Sequence, residues 1–185
     1  LVPALGARMQ EPRWRVAASA AAMLFGGGMS APLTDTIRER LGLAYTADAS
    51  TENGDVWFNF LVHAVTTPDK LAQLVTATGG LLREQANGIA PVHLERARNQ
   101  LAVSRVRSSE RTYVSMERAV EELFVHGRVV PASETIGLIE TIGAEDVQAV
   151  FERMLRQGPA LAITGKGATA KAAKELAGML VAASR

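Results

Sequence analysis

The chain contains no cysteine among its 185 residues. That absence removes disulfides, thiol nucleophiles and cysteine metal sites together, and leaves the compartment open. An excess of charge of one sign is also missing. The 20 Lys and Arg face 19 Asp and Glu, so the large electrostatic term that nucleic-acid binding needs is absent and a polyanionic partner is disfavoured. Long hydrophobic runs are lacking as well: the longest, Val16 to Phe25, is alanine-rich and too short to span a bilayer. Arg13 and Arg15 precede it without an obvious processing site. A soluble protein without a membrane span is expected. The opening Leu-Val-Pro-Ala-Leu has no initiator methionine, and a fragment or processed piece is expected.

Catalytic motifs are sparse too. His63, His93 and His126 stand about thirty residues apart, and none belongs to an H-E-x-x-H or H-x-x-E-H pair that puts two ligands on one helix face. His93, in an isolated H-x-E, reads as a solvated helix start, and His63 as a hydrogen-bonded, semi-core strand residue. Ser30 follows a glycine run that is not G-x-S-x-G, and reads as an N-cap. Neither Gly26-Gly27-Gly28 nor Thr164-Gly165-Lys166-Gly167 has nucleotide-loop spacing, so tight turns with close backbone approach are the default. Arg96, Arg98, Arg105, Arg107, Arg111 and Arg118 are interleaved with glutamates and read as a salt-bridged, solvated helix surface.

What is present suffices for one domain over 1–185: 48% of the residues are hydrophobic and 21% charged. Leu1 to Ala7 is a possible strand weakened by Pro3. Pro12 opens a helix to about Leu24 that the three glycines end. A second helix, about Ala31 to Leu41, carries the apolar stripe Leu33, Ile37, Leu41 and stops at Gly42. Leu43 to Ser50, the Asn53-Gly54 turn and Val56 to Val65 read as a hairpin, whose second strand is apolar on both faces and expected to lie inside a sheet. A helix from Pro68-Asp69 to Asn87-Gly88 follows. Pro91 to Gly127 reads as helical with a break near Ser108-Ser109. Pro131 and Gly143 divide two short helices, the second over about Ala144 to Arg156. Pro159 to Gly165 reads as a strand and Ala168 to Ala183 as a terminal helix. This order fits an α+β layer better than βαβ alternation.

The richest stretch is Phe25 to Tyr45. It puts a permanent cation, Arg38, near a helix end and a phenol, Tyr45, just inside the next strand, so that two strong donors can converge on one oxygen. Asp35 and Glu39 flank Arg38 and Arg40 and can orient them. Taken alone, such a pair is too common to interpret.

Its wording carries more. Phe25-Gly-Gly-Gly-Met-Ser-Ala-Pro-Leu-Thr-Asp-Thr-Ile-Arg-Glu-Arg-Leu-Gly-Leu-Ala-Tyr45 closely resembles the C-terminal domain of the pitrilysin/insulinase-type zinc metallopeptidases, which include mitochondrial processing peptidase and its bacterial relatives. The resemblance continues through Leu94 to Leu101, Thr141 to Val147 and the segment ending at Gly165, about Glu11 to Gly165 in all. It implies an α+β fold with a mostly antiparallel sheet packed against several helices. It also implies that zinc belongs to a different, first domain carrying H-x-x-E-H, and that an Arg/Tyr pair from a facing half binds the substrate backbone and stabilises the tetrahedral intermediate. Arg38 and Tyr45 occupy the positions of that pair. No residue here is assigned to metal or cofactor; zinc is implied in the missing domain or a partner subunit, and this chain alone is expected to be inactive. The implied partners are a peptide or unfolded polypeptide and the zinc-binding domain or subunit, in a homo- or heterodimer when complete. The alternative is a non-catalytic assembly subunit of the same fold, as in respiratory cytochrome complexes; a phosphate-binding module built on the glycine turn ranks last. Arginine far exceeds lysine and alanine is abundant, which fits a GC-rich bacterial source, cytoplasmic or periplasmic.

Overall fold

Burial of small side chains organises the molecule. The computed structural model describes residues 11–53 and 58–184; the expected strand over Leu1 to Ala7 and the Gly54 turn lie outside them. Helix α1 (Pro12–Gly26) starts with Pro12 in its first turn, where the missing N–H has no helical partner to lose. Ala17, Ala18, Ala20, Ala21 and Ala22 are all buried, as are Leu24 and Phe25. α1 is therefore covered on nearly every side, and its thin alanine body lets the neighbouring elements approach closely. Gly26 takes this furthest, because a Cβ there would meet Ala49 N at 2.3 Å.

That neighbour belongs to the hairpin β1 (Thr46–Asn53) and β2 (Phe58–Val65), antiparallel with Thr46 opposite Val65 and Asn53 opposite Phe58. Phe60 points inward and its ring lies 5.9 Å from Phe151, which in turn lies 5.7 Å from Phe25. This cluster ties β2 to α1 and to α7 (Ala144–Gln157), each ring pair adding about 0.5–1.5 kcal/mol beyond its area. In α7 the buried residues Val147, Val150, Phe151 and Met154 fall at i, i+3, i+4, i+7 and make one apolar face.

The other helices complete an α+β layer. After α2 (Pro32–Thr34) and the hairpin come a 3₁₀ turn (Pro68–Lys70), α3 (Leu71–Asn87), α4 (Pro91–Glu110), α5 (Thr112–His126), α6 (Ala132–Thr141), α7 and α8 (Ala170–Ala183). α3 packs on α7 and α8, while α1 packs on β1, α4, α6 and α7.

Several expectations need correction. Among the described residues β2 is not the interior strand expected: it pairs there with β1 alone, and Val62, His63 and Val65 are exposed because only its first half lies over the core. His63 is thus a surface residue, 3.4 Å from Asp48. Pro159 to Gly165 forms no strand among the described residues; Pro159 lacks an N–H and Gly165 turns at φ 126°, so the segment is held by Leu161 and Ile163 packing on the core instead of by a ladder. The long helical region breaks at Arg111, not at Ser108-Ser109, whose hydroxyls both bond back to Arg105 O.

Of the six arginines, Arg107 and Arg111 are exposed as expected, but the other four are clamps more than solvated surface. Arg98 donates to Ile142 O. Arg96 donates to Leu24 O and Ser30 O, and Arg118 to Ser108 Oγ. Arg105 meets Glu122 at 3.6 Å with both side chains largely covered. Arg96 and Arg98 reach carbonyls near helix ends, Arg105 a carboxylate and Arg118 a hydroxyl.

Candidate functional site

Pro32 sets the first turn of α2, and the helix then widens. Asp35–Arg40 form a π-helical turn, in which Leu41 N–H bonds to Thr36 O at 3.0 Å. Leu33 and Ile37 are fully buried and anchor the inner face. The extra residue in the turn swings Leu41, expected on that stripe, out to 44% exposure. Gly42 then reverses the chain at φ 57°, a left-handed value that disfavours any Cβ.

The exit from this turn is pinned at each step. Leu43 N–H bonds to Ile37 O at 2.8 Å. Lys70 Nζ donates to Gly42 O at 2.8 Å and Thr66 Oγ to Leu43 O at 2.5 Å. Tyr45 N–H reaches Val65 O at 3.0 Å, which places Tyr45 immediately before β1 and not inside it. Leu43 and Ala44 are buried, so the next side chain is driven outward: Tyr45 is 80% exposed.

Arg38 and Tyr45 come together. The Arg38 guanidinium carbon lies 6.0 Å from the centre of the Tyr45 ring, a cation–π approach of roughly 0.5–1 kcal/mol at an exposed site. Arg38 is further held by Glu39, 3.3 Å from Nε, and by a 3.7 Å contact from Nη1 to Met29 Sδ. Asp35 pairs with Arg40 at 2.7 Å, so of the two flanking carboxylates Glu39 alone orients Arg38. The result is a cation beside a phenol, both open to solvent, on a backbone fixed by hydrogen bonds.

A residue that spacing did not single out supports this arrangement. Arg96, from α4, donates to both the carbonyl and the hydroxyl of Ser30, at 2.5 and 2.9 Å, and to Leu24 O at 3.0 Å. It fixes the turn that carries Met29 to Arg38, and burial pushes its pKa down. Ser30 is accordingly no N-cap; Ala31 holds that position. No local pattern links Arg96 to residues so far back in the chain. His93 is not a solvated helix start either. It is half-buried, its Nδ1 has no hydrogen-bond partner among the described residues, and desolvation followed by the nearby Arg96 charge lowers its pKa. Gly27 and Gly28 border a groove of about 590 Å³ together with Gln100, Arg107 and Arg111.

A zinc ion needs three or four nitrogen, oxygen or sulfur ligands. Among the described residues no three His, Cys, Asp or Glu gather to hold a metal. His63 and Asp48 supply two donors without a third. These residues do not fit a zinc site. No helix among the described residues is long and apolar enough to cross a membrane.

Residues 5–101 match the family described as Peptidase M16 inactive domain. An uncharacterized zinc protease of Rickettsia bellii is 28% identical over 144 residues, which cover 78% of this chain and 35% of that protein. Among solved structures, a chain of complex III2 from Candida albicans has a TM-score of 0.71 at 14% identity, covering 82% of this chain and 38% of the other. A protease from Helicobacter pylori gives 0.63 at 18% identity, covering 82% and 36%. The chain spans about a third of the length of the curated relatives it matches. The matched segment includes the Phe25 to Tyr45 stretch, and with it the chain belongs to the M16 metallopeptidase family, in the part known as its inactive domain.

Proposed function

We propose that this domain positions the substrate for a zinc peptidase whose metal is held outside these residues, with Arg38 and Tyr45 as hydrogen-bond donors to the peptide carbonyl that is attacked. The observation that carries the reading is the pairing of Arg38 with Tyr45 across the π-turn, 6.0 Å from guanidinium carbon to ring centre. When a peptide carbonyl becomes tetrahedral its oxygen gains negative charge, and donors already fixed in place stabilise that charge without reorganising. Arg38 brings a permanent cation. Tyr45 brings an O–H that no hydrogen bond to another described residue occupies. Their exposure leaves room for an extended peptide or unfolded segment, and the pinned backbone keeps the pair in register.

The test is steady-state kinetics of the full-length peptidase with Arg38→Ala and Tyr45→Phe. Each variant is expected to lose about 10²–10³ in kcat, the usual effect of removing one such donor, with a smaller change in KM. Folding should survive, because both side chains are surface groups. Near-normal kcat in both variants would overturn the catalytic role, whereas no peptidase activity in the unsubstituted full-length protein would favour a non-catalytic assembly subunit of the same fold.

A further inference from the structure

Helix α5 is built inside out. Its inward face carries Ser115, Arg118 and Glu122, all half-buried. Arg118 donates to Ser108 Oγ at 2.7 Å, and Glu122 meets Arg105 and accepts from Val130 N–H at 2.8 Å. The outward face carries Tyr113, Met116, Val120, Leu123 and Phe124, exposed by 48% to 84%. On a 3.6-residue helix these five fall within an arc of about 100°, the width of a face that normally packs on a core. The polar contacts to α4 are spent inside and the apolar stripe is left facing water. Contiguous apolar patches of this kind mark an interface.

The charges beside the stripe decide between occupants. Glu117 and Glu121 run along one flank, both exposed. A second copy docked antiparallel on the same stripe would bring each glutamate flank against its own image, which is repulsive. Docked parallel, the glutamates would face the flank of Thr112 and Ala119, which carries no cation among the described side chains. The segment shared with the Rickettsia relative is 78% of this chain but only 35% of that protein, so most of such a polypeptide lies outside the match. Tethering gives that remainder an effective concentration that a separate partner lacks.

We infer that the outward face of α5 is the docking surface for the rest of the same peptidase polypeptide, received as an apolar surface with lysine or arginine beside Glu117 and Glu121. This rests on membership in a longer peptidase and not on the roles of Arg38 and Tyr45, so the two readings fail separately.

Site-specific photo-cross-linking of the full-length protein tests it. Phe124 is replaced by p-benzoylphenylalanine in one sample and Met116 in another; both positions are exposed, so folding is not at stake. Mixing ¹⁴N- and ¹⁵N-labelled protein before irradiation separates links within one molecule from links between copies. The expected result is isotopically pure cross-linked peptides joining α5 to residues outside 1–185, unchanged when Arg38→Ala is added. Mixed-isotope links would assign the face to a second copy, and links confined to 1–185, or none at either position, would leave the stripe unpartnered; any of these overturns the inference.

Discussion

Gly26→Ala should destabilise the domain although alanine is the better helix former. Gly26 is the last residue of α1, and β1 crosses where its side chain would be: a Cβ would lie 2.3 Å from Ala49 N, 2.7 Å from Ala49 Cβ and 2.9 Å from the Asp48 carbonyl carbon. These are largely backbone atoms, which cannot swing aside as the tip of a long side chain can. Reaching ordinary contact requires β1 and α1 to part by about 1 Å, an overpacking that costs typically 1–3 kcal/mol. Higher helix propensity returns at most about 1 kcal/mol, and less at a helix end. The net loss is about 1–2 kcal/mol, or roughly 2–8 °C in Tm for a chain of this size.

A matched control gives the opposite sign. Gly80 lies inside α3, and a Cβ there meets nothing within 4 Å. Gly80→Ala should therefore gain about 0.5–1 kcal/mol from helix propensity and lost freedom of the unfolded chain. Calorimetric or urea unfolding of both variants beside the parent is the assay. If Gly26→Ala were as stable as the parent, or if both variants moved in the same direction, the close approach of α1 to β1 would be wrong as described.

Three further outcomes follow from named contacts. Burial pushes the Asp146 carboxyl up, but its hydrogen bonds from Arg13 and from the Gly143 N–H outweigh this and hold it below its ordinary value; a depressed folded value means stability present above the unfolded value near 4 and lost as pH falls through the lower one. Asp146→Asn should thus cost about 0.5–1 kcal/mol at pH 6 and progressively less as pH falls below the ordinary carboxylate value, measured as unfolding midpoints across the acid range. Arg105→Ala strips a largely covered Glu122 of its cation and should cost about 3 kcal/mol, whereas the double change Arg105→Met with Glu122→Leu should recover most of it; equal losses in denaturant titrations would remove the pair from the α4–α5 clamp. If Arg38 and Tyr45 act on one oxygen, kcat of the double variant should fall by less than the product of the single losses, and a fully multiplicative result would separate their roles.

The parts of the fold legible in sequence are those governed by local chemistry. Pro12 and Pro91 open α1 and α4, and Gly42 and Gly127 close the segments before them, because a missing N–H or a left-handed backbone acts wherever it stands. What depends on a distant partner was not legible. The alternation in β2 describes side chains on both faces but not whether anything covers them, and the apolar run after Pro159 cannot form a ladder by itself. Arginines spaced along α4 look solvated until their targets are known, and Arg96 reaches Ser30, 66 residues earlier. The candidate site falls between these cases. Its wording placed Arg38 and Tyr45 together, but an ordinary helical period puts Leu41 on the buried stripe with Leu33 and Ile37. The π-turn breaks that period after Ile37, exposing Leu41 and bringing the chain round Gly42 so that burial of Leu43 and Ala44 turns Tyr45 outward toward Arg38. A π-helical turn is rare and frequently found at functional sites. Restoring α-helical period by deleting Arg40, which leaves Arg38 and Leu41 in place, should therefore bury the stripe better while separating the cation from the phenol: a gain in Tm accompanied by loss of activity in the full-length peptidase would identify the π-turn as the feature that couples fold to function, and retained activity would show that the pair does not depend on it.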